Sequence, residues 1–252
     1  MTEISTSSSP TRAMILAAGK GLRMRPITDK TPKPLIKLNG RPLIEHALDR
    51  LEVAGISDVV VNTHYLGDKI ERHLKTRLTP RVEFSPENEL LETGGGVKKA
   101  LPLLGQEPFF VVNGDAFWLD GPTNTLRRMV TEWDPSSMDV LLLLHSTVVA
   151  YGYDGRGDFI CEPDGKLARR PEGEVSPWLF AGVQIINPEI LEDAPTGAFS
   201  LNWAYDRALA AGRLYGVVHD GEWFHIGTPD GLSVAEDYLQ VRFPLLLSHH
   251  LL

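Results

Sequence analysis

Short apolar runs that alternate with segments of helical period constrain the fold of this chain more than any other feature. Each run predicts a strand, and most are too apolar to face water on one side, so we expect these strands to be central in a sheet. They lie at residues 13–18, 59–62, 82–84, 109–113 and 140–144. Segments with the apolar spacing of amphipathic helices lie between them, at residues 42–53, 68–77, 93–104 and 123–133. This alternation predicts an α/β fold with a Rossmann-like, open, twisted, mostly parallel mixed sheet and helices on both faces.

The second half of the chain is less regular. Its β-like runs and helical segments lie at residues 159–162, 183–186, 214–218 and 223–226, and near 201–211 and 231–240. We expect this half to add mixed strands and a lid over one end of the sheet. Because no Gly- or Ser-rich linker and no internal repeat interrupts the pattern, residues 13–242 are predicted to form a single domain.

Both ends of the chain differ in composition from its body. Residues 1–12 are rich in Ser and Thr and lack the apolar stretch of a secretory signal, so they predict a disordered extension. The tail at residues 243–252 is apolar. Three alternatives stay open for this tail: it packs on the body of the chain, it contacts a second subunit in a homodimer, or it is partly disordered. The single Cys161 fits a reducing compartment, and we expect the cytoplasm.

Charge and hydropathy exclude two kinds of partner. The formal net charge of -8 argues against non-specific nucleic-acid binding, which needs a basic surface. No segment approaches the roughly 18 consecutive apolar residues of a membrane helix. An anionic ligand must therefore be held by a local excess of basic residues. Residues 20–37 provide one, with six basic side chains against Asp29, although a solvated basic face has the same composition.

The strongest local signal is the sequence LAAGKGLRMRP at residues 16–26, followed by TPKPL at 31–35. A buried strand that ends in small residues and a Gly-x-Gly turn lets backbone N–H groups approach a phosphate. Arg23 and Arg25 can grip phosphate oxygens in forked geometry, and Lys33 adds a point charge between two prolines. The pattern predicts a polyphosphate site. It does not predict a dinucleotide-dependent oxidoreductase, because the third Gly of that motif falls at Met24.

These residues resemble the hallmark of the sugar-1-phosphate nucleotidyltransferases, L-A-A-G-x-G-x-R followed by P-K-P. The resemblance implies an enzyme of the nucleotide-diphospho-sugar transferase fold, which joins a nucleoside triphosphate to a sugar 1-phosphate and releases pyrophosphate. It also implies that Arg23 and Lys33 are catalytic and contact the triphosphate and the sugar phosphate. The residues expected to bind the nucleotide are Leu16, Ala17, Ala18, Gly19, Gly21, Arg23, Glu92, Gly94, Gly95 and Asn113. Without the family, a stretch like residues 92–96 is more often a plain glycine turn before a helix than a ligand site.

The metal site is expected at Asp115. This residue follows a predicted central strand, at the sheet edge where open α/β folds bind ligands. A carboxylate there suits Mg²⁺, which takes one or two protein carboxylates and fills its other positions with phosphate and water. A loop Asp that caps backbone is the alternative. The family's second metal-binding Asp is replaced here by His225, which suits Mn²⁺ better than Mg²⁺. His225 can bind such an ion, contact a phosphate, or leave the metal to Asp115 and the triphosphate.

The sugar side has weaker signals. The residues expected to hold the sugar phosphate are Lys33, Gly157, Asp158, Arg170 and Gly182. Arg170 stands where the family often has the Lys of an E-K-P element that binds the sugar phosphate. A hairpin turn at 155–157 and a solvated arginine pair are the structural alternatives.

Further stretches at residues 85–105, 112–115 and 155–159 resemble the short bacterial uridylyltransferases that act on N-acetylmuramate 1-phosphate in cell-wall recycling. The resemblance implies UTP and N-acetylmuramate 1-phosphate as substrates and covers about residues 12–240. A guanylyltransferase that acts on mannose or heptose 1-phosphate stays open. So does a non-catalytic regulator that binds a nucleotide sugar, which the loss of the Asp at position 225 would allow.

Overall fold

The computed structural model describes residues 9–243. The strands are β1 Arg12–Leu16, β2 Lys37–Leu38, β3 Arg41–Pro42, β4 Asp58–Thr63, β5 Arg81–Pro86, β6 Phe109–Asn113, β7 Phe117–Leu119, β8 Val140–Ser146, β9 Phe159–Cys161, β10 Leu167–Arg169, β11 Trp178–Ile186, β12 Leu214–Val218 and β13 Glu222–Phe224. The helices are α1 Leu43–Val53, α2 Gly67–Leu74, α3 Glu92–Leu104, α4 Thr125–Glu132, α5 Asn202–Ala210 and α6 Pro229–Arg242. None of the helices in the described range is long and apolar enough to cross a bilayer.

The main sheet is mixed and mostly parallel in its first half, which confirms the predicted fold class. It runs in the order β10-β9-β11-β6-β1-β4-β5, and β8 and β12 continue from β11. Strands β6, β1, β4 and β5 are parallel to one another, whereas β11 is antiparallel to both β6 and β8. The less regular second half therefore adds the mixed strands, as expected from its sequence.

Both faces of the sheet are covered by helices, which explains why its central strands are apolar on both sides. On one face, Ile15 of β1 belongs to a buried cluster with Ile44 and Leu48 of α1. On the other face, Met14 belongs to a cluster with Val97 and Ala100 of α3. Successive residues of β1 thus serve opposite halves of the core.

A smaller layer lies beside the main sheet. β13 pairs antiparallel with β7, and this ladder packs with α6 in a third apolar cluster that contains Phe117, Phe224 and Leu239. The Tyr151 and Phe224 rings stack there with centroids 4.8 Å apart. β13 ends at Phe224, and residues 225–228 connect it to α6.

The boundaries differ from the sequence expectation at several places. The run predicted at 183–186 begins at Trp178, because β11 continues past a register shift against β8 between Phe180 and Gln184. The short strands β7 and β10 were not predicted, since three residues carry too little periodicity to be read. β1 begins at Arg12, inside the predicted extension. Residues 1–8 of that extension and residues 244–252 of the apolar tail lie outside the described residues.

Candidate active site

The main cavity lies at the carboxyl ends of adjacent parallel strands. Leu16 at the end of β1 pairs in register with Asn113 at the end of β6. The segments that leave these strands, 17–21 and 114–115, therefore share one edge of the sheet and line a cavity of about 440 Å³. The described residues that line it include the predicted nucleotide-site residues Leu16, Ala17, Ala18, Gly19, Gly21, Glu92 and Asn113. This is the edge where open α/β sheets bind ligands.

The turn after β1 needs glycine at position 21. Gly21 has φ +61°, and a Cβ there would lie 2.9 Å from the Cγ2 of Thr28. The Thr28 hydroxyl donates to the Gly21 carbonyl at 2.9 Å, so the side chain that excludes a Cβ also fixes the turn. The turn leads directly into a short 3-10 helix, Leu22–Met24, which carries the exposed Arg23.

Lys33 and Asp115 meet at the cavity although they are 82 positions apart in sequence. Lys33 begins a 3-10 helix after Pro32, and its ammonium group forms an ion pair with the Asp115 carboxylate. The Asp115 side chain is 35% exposed, so its carboxylate stays accessible to a ligand. An ammonium group has three donors, and the pair leaves Lys33 further donors for phosphate oxygens.

A buried polar chain that the sequence did not reveal ties two walls of the cavity together. The Ala17 N–H donates to Asn62 Oδ1 at 2.8 Å, and Asn62 Nδ2 donates to Glu87 Oε1 at 2.6 Å. The second carboxylate oxygen of Glu87 accepts from the Leu91 N–H at 2.9 Å. The loop after β1 and the segment before α3 are thus held by one carboxylate. The available signal was a polar Asn at the end of the apolar strand β4.

The glycines at the start of α3 have a different use from the predicted one. The Gly94 and Gly95 N–H groups donate to the Phe199 carbonyl at 2.8 and 3.1 Å, so both donors are already used within the protein. A Cβ at Gly94 would overlap the Phe199 ring, and one at Gly95 would overlap the Gly197 carbonyl. Neither glycine is among the residues that line the main cavity. The physical reason for glycine here is close packing of α3 against the 197–199 segment.

Glu92, just before these glycines, has a strained backbone. Its φ of +58° lies in the left-handed region, which costs a non-glycine residue roughly 1–2 kcal/mol. Glu92 is exposed and lines the main cavity together with Thr93. The strained position therefore places a carboxylate at the mouth of the cavity.

A second cavity of about 250 Å³ brings further predicted residues together. It is lined by Arg23, Asp115, Asp158, Gly182 and His225, among others. Asn113 and Asp115 line both this cavity and the main one, so the two adjoin each other. The predicted catalytic arginine, the predicted metal ligands and part of the predicted sugar-phosphate site therefore share one space.

His225 follows β13 and is half-buried between aromatic rings. Its ring centroid lies 5.9 Å from those of both Tyr153 and Trp223. Burial, followed by the positive charge of Arg23, holds the pKa of His225 below its ordinary value, and Asp115 opposes this shift only in part. The imidazole is therefore neutral at physiological pH.

The donor set at this site fits a metal that is held mainly by a ligand's phosphates. Residues 9–243 contain no group of three His, Cys, Asp or Glu side chains arranged to hold an ion. Asp115 offers one accessible hard oxygen donor, and His225 offers a neutral nitrogen nearby. One protein carboxylate is sufficient for Mg²⁺ when phosphate and water fill its other positions.

The structure separates the two neighbouring arginines of the sugar side. Arg170, the predicted ligand of the sugar phosphate, donates to the carbonyls of Gly157 and Glu174 at 2.9 and 2.8 Å and lines none of the cavities described here. Its guanidinium instead braces the turn at Gly157. Arg169 lines a third cavity of about 270 Å³, beside Asp158. Asn113 lines this cavity as well, so it adjoins the other two.

Arg25 also has a local partner. Its guanidinium pairs with Asp29 at 3.1 Å, and both side chains are more than half exposed. Arg25 lines none of the three cavities. Of the two arginines expected to grip phosphate, only Arg23 thus faces the site.

Comparison with known proteins agrees with this geometry. The family model described as nucleotidyl transferase matches residues 12–241. The chain is 43% identical over 235 residues to the N-acetylmuramate alpha-1-phosphate uridylyltransferase of Caulobacter vibrioides, an alignment that covers 91% of this chain and 97% of that protein. It is 38% identical to the protein of the same name from Neisseria meningitidis, over 89% of this chain and 96% of that protein.

A solved structure supports the fold independently. HddC from Yersinia pseudotuberculosis, complexed with GMP-PN, superposes with a TM-score of 0.74 and covers 91% of this chain and 99% of that one. At 23% identity this likeness shows the fold alone. The matched family model, the relatives above and the cavity at the strand ends lead to one conclusion: this chain belongs to the nucleotidyl transferase family and is a sugar-1-phosphate nucleotidyltransferase.

Proposed function

We propose that the enzyme transfers the uridylyl group of UTP to N-acetylmuramate 1-phosphate, forming UDP-N-acetylmuramate and pyrophosphate. The observation that carries this proposal is the 43% identity to the Caulobacter uridylyltransferase over 97% of that protein's length. Three adjoining cavities that share Asn113, at the end of β6, support it, because such a reaction needs room for a nucleotide and a sugar phosphate side by side.

In the proposed reaction, a phosphate oxygen of the sugar 1-phosphate attacks the α-phosphorus of UTP in line, and pyrophosphate leaves. The sugar phosphate is itself the nucleophile, so the chain needs to align the two phosphates and neutralise their charge. The 17–21 loop lies under the nucleotide. Arg23, exposed on its 3-10 helix, lines the second cavity and there contacts both phosphates. Lys33, which is paired with Asp115, contributes its remaining donors.

Asp115 would hold the metal in this proposal, with Mg²⁺ as the ion and Mn²⁺ as a substitute. When bound, the ion would neutralise charge on the α-phosphate. The contribution of the chain is to orient Asp115, which its ion pair with Lys33 does. His225, neutral and beside Asp115, completes the wall of the second cavity.

The proposed substrate gives the reaction a biological setting. N-acetylmuramate is a sugar of bacterial peptidoglycan, and its activation with UTP returns it to the form used for cell-wall synthesis. We therefore place the reaction in peptidoglycan recycling in the cytoplasm.

The test is pyrophosphate release by the purified protein with Mg²⁺, across UTP, GTP, dTTP, CTP and ATP. Each nucleotide is paired with N-acetylmuramate, N-acetylglucosamine, mannose and glucose 1-phosphates. We expect turnover to be greatest with UTP and N-acetylmuramate 1-phosphate. A preference for GTP with mannose 1-phosphate would overturn the substrate assignment. No release with any pair, in Mg²⁺ or Mn²⁺, would indicate a nucleotide-sugar-binding regulator instead.

A further inference from the structure

Arg169 is a cation in the third cavity that the reaction described above does not use. This cavity lies beyond Asp158 from the catalytic residues and is also lined by Asn202 and Tyr205. Among the described residues that line it, Arg169 is the only basic one. A guanidinium binds a carboxylate by charge-assisted hydrogen bonds, which are stronger than its hydrogen bonds to the hydroxyl groups of a neutral sugar.

The Arg169 side chain is fixed from several sides. Its Nε and Nη2 donate to Asp206 Oδ1 at 3.1 and 2.7 Å, and Nη2 also donates to Asn202 Oδ1 at 3.0 Å. The guanidinium carbon lies 5.0 Å from the centroid of the Phe159 ring and 5.9 Å from that of Tyr205. A guanidinium held in this way loses little rotamer entropy when it binds a ligand.

One edge of this guanidinium remains available. No hydrogen bond between residues 9 and 243 uses Arg169 Nη1. Asp206, which neutralises part of the charge, is 66% exposed, so solvent screens that ion pair. Arg169 is therefore a positioned cation on the wall of the third cavity, with one guanidinium nitrogen that makes no hydrogen bond to the described residues.

We infer that Arg169 binds the carboxylate of an acidic sugar substrate and thereby selects it over the neutral sugar of the same ring. The inference rests on the proposed function: N-acetylmuramate differs from N-acetylglucosamine by a lactyl ether that ends in a carboxylate. The second and third cavities support it, because they share Asn113, Asp158 and Phe180 in their walls and a sugar phosphate near Arg23 would thus have the third cavity beside it.

Arg169→Met tests this assignment, with Arg207→Met as the matched control. Arg207 lies on α5, pairs with Asp193 at 3.1 Å and stacks over Trp203, but does not line the cavity. We expect Arg169→Met to raise the KM for N-acetylmuramate 1-phosphate about 10- to 100-fold, the effect of losing a charge-assisted hydrogen bond. The KM for UTP and the inhibition constant of N-acetylglucosamine 1-phosphate should stay unchanged, and Arg207→Met should match the wild type in all three.

Arg169→Lys provides a second variant that keeps the charge and loses the fork, and it should fall between wild type and Arg169→Met. Equal weakening of both sugars would mean that Arg169 only supports the local structure, and would overturn the inference. Wild-type turnover of N-acetylmuramate 1-phosphate distinguishes the two kinds of failure. If the wild type does not turn it over, the proposed function and this inference both fall. If it does, but Arg169→Met discriminates between the sugars as the wild type does, only the inference falls.

Discussion

Replacing Glu87 with glutamine should destabilise the enzyme far more than an isosteric change normally does. The Glu87 side chain belongs to a residue only 6% exposed, and both of its oxygens accept hydrogen bonds, from Asn62 Nδ2 and from the Leu91 N–H. Glutamine has one acceptor oxygen, so its amide nitrogen must face one of these two donors. If the Asn62 amide flips to relieve the conflict, its nitrogen then faces the Ala17 N–H instead.

The magnitude follows from this unavoidable mismatch. One charge-assisted hydrogen bond is lost, worth about 1.5–3 kcal/mol, and a buried donor is left unpaired, which costs about 1–3 kcal/mol. Partial relaxation reduces the sum, and we expect about 2–4 kcal/mol. This is a large share of the roughly 5–15 kcal/mol by which folded domains are stable.

Urea unfolding of Glu87→Gln, with Glu89→Gln as control, measures this effect. Glu89 is exposed and lies two residues further along, so its variant should stay within about 0.5 kcal/mol of wild type. Because the same carboxylate holds the loop after β1, Glu87→Gln should also raise the Kd for UTP. A Glu87→Gln protein as stable as Glu89→Gln would show that the buried chain does not hold the two segments together.

Three further predictions address other parts of the account. Arg23→Ala should lower kcat by roughly two to three powers of ten, the effect of about 2–4 kcal/mol of lost transition-state stabilisation, without changing the urea midpoint; near-normal pyrophosphate release would remove Arg23 from the catalytic set. Gly95→Ala should destabilise the protein by about 1–3 kcal/mol despite the better helix propensity of Ala, because its Cβ meets the Gly197 carbonyl. Gly19→Ala, where a Cβ would meet nothing within 4 Å, is its control in the same urea experiment, and equal stability of the two variants would refute the packing role. Burial, followed by the charge of Arg50, lowers the pKa of His46 to about 4, whereas the unfolded chain has the ordinary value of 6.5. The unfolded state therefore binds the proton more readily than the folded state. The contribution of His46 to the free energy of unfolding is fully present above pH 6.5 and is lost as the pH falls toward 4. Between pH 7.5 and pH 5 this loss amounts to about 2 kcal/mol. His46→Gln should lose that part of the pH dependence of unfolding, and an unchanged slope would contradict the assignment.

The sequence was informative where local chemistry and position along a strand coincide. The central strands were predicted because their runs are apolar on both faces, and the carboxyl-end positions of Gly21 and Asp115 follow from those strands. In the structure, Arg23, Lys33 and Asp115 line adjoining cavities at that edge. Their catalytic roles remain predictions for the experiments above.

Other features depend on contacts that no local pattern encodes. Asn62 and Glu87 lie on separate strands or loops, and only the packed sheet makes them hydrogen-bond partners. Which of the two arginines lines a cavity depends on where β10 ends. Arg169 is the last residue of β10, in register with Phe159 of β9, whereas Arg170 follows the strand and donates to the Gly157 carbonyl. The use of Gly94 depends likewise on Phe199, which is distant in sequence.

The central claim is that a sugar 1-phosphate attacks the α-phosphorus of UTP in this site. The most direct measurement follows labelled phosphate from UTP in the presence of N-acetylmuramate 1-phosphate, in wild type and in Asp115→Asn. We expect label from the α-position to appear in UDP-N-acetylmuramate and label from the γ-position in pyrophosphate, and Asp115→Asn to form both far more slowly. Release of the γ-label as orthophosphate, or equal rates in the two proteins, would contradict it.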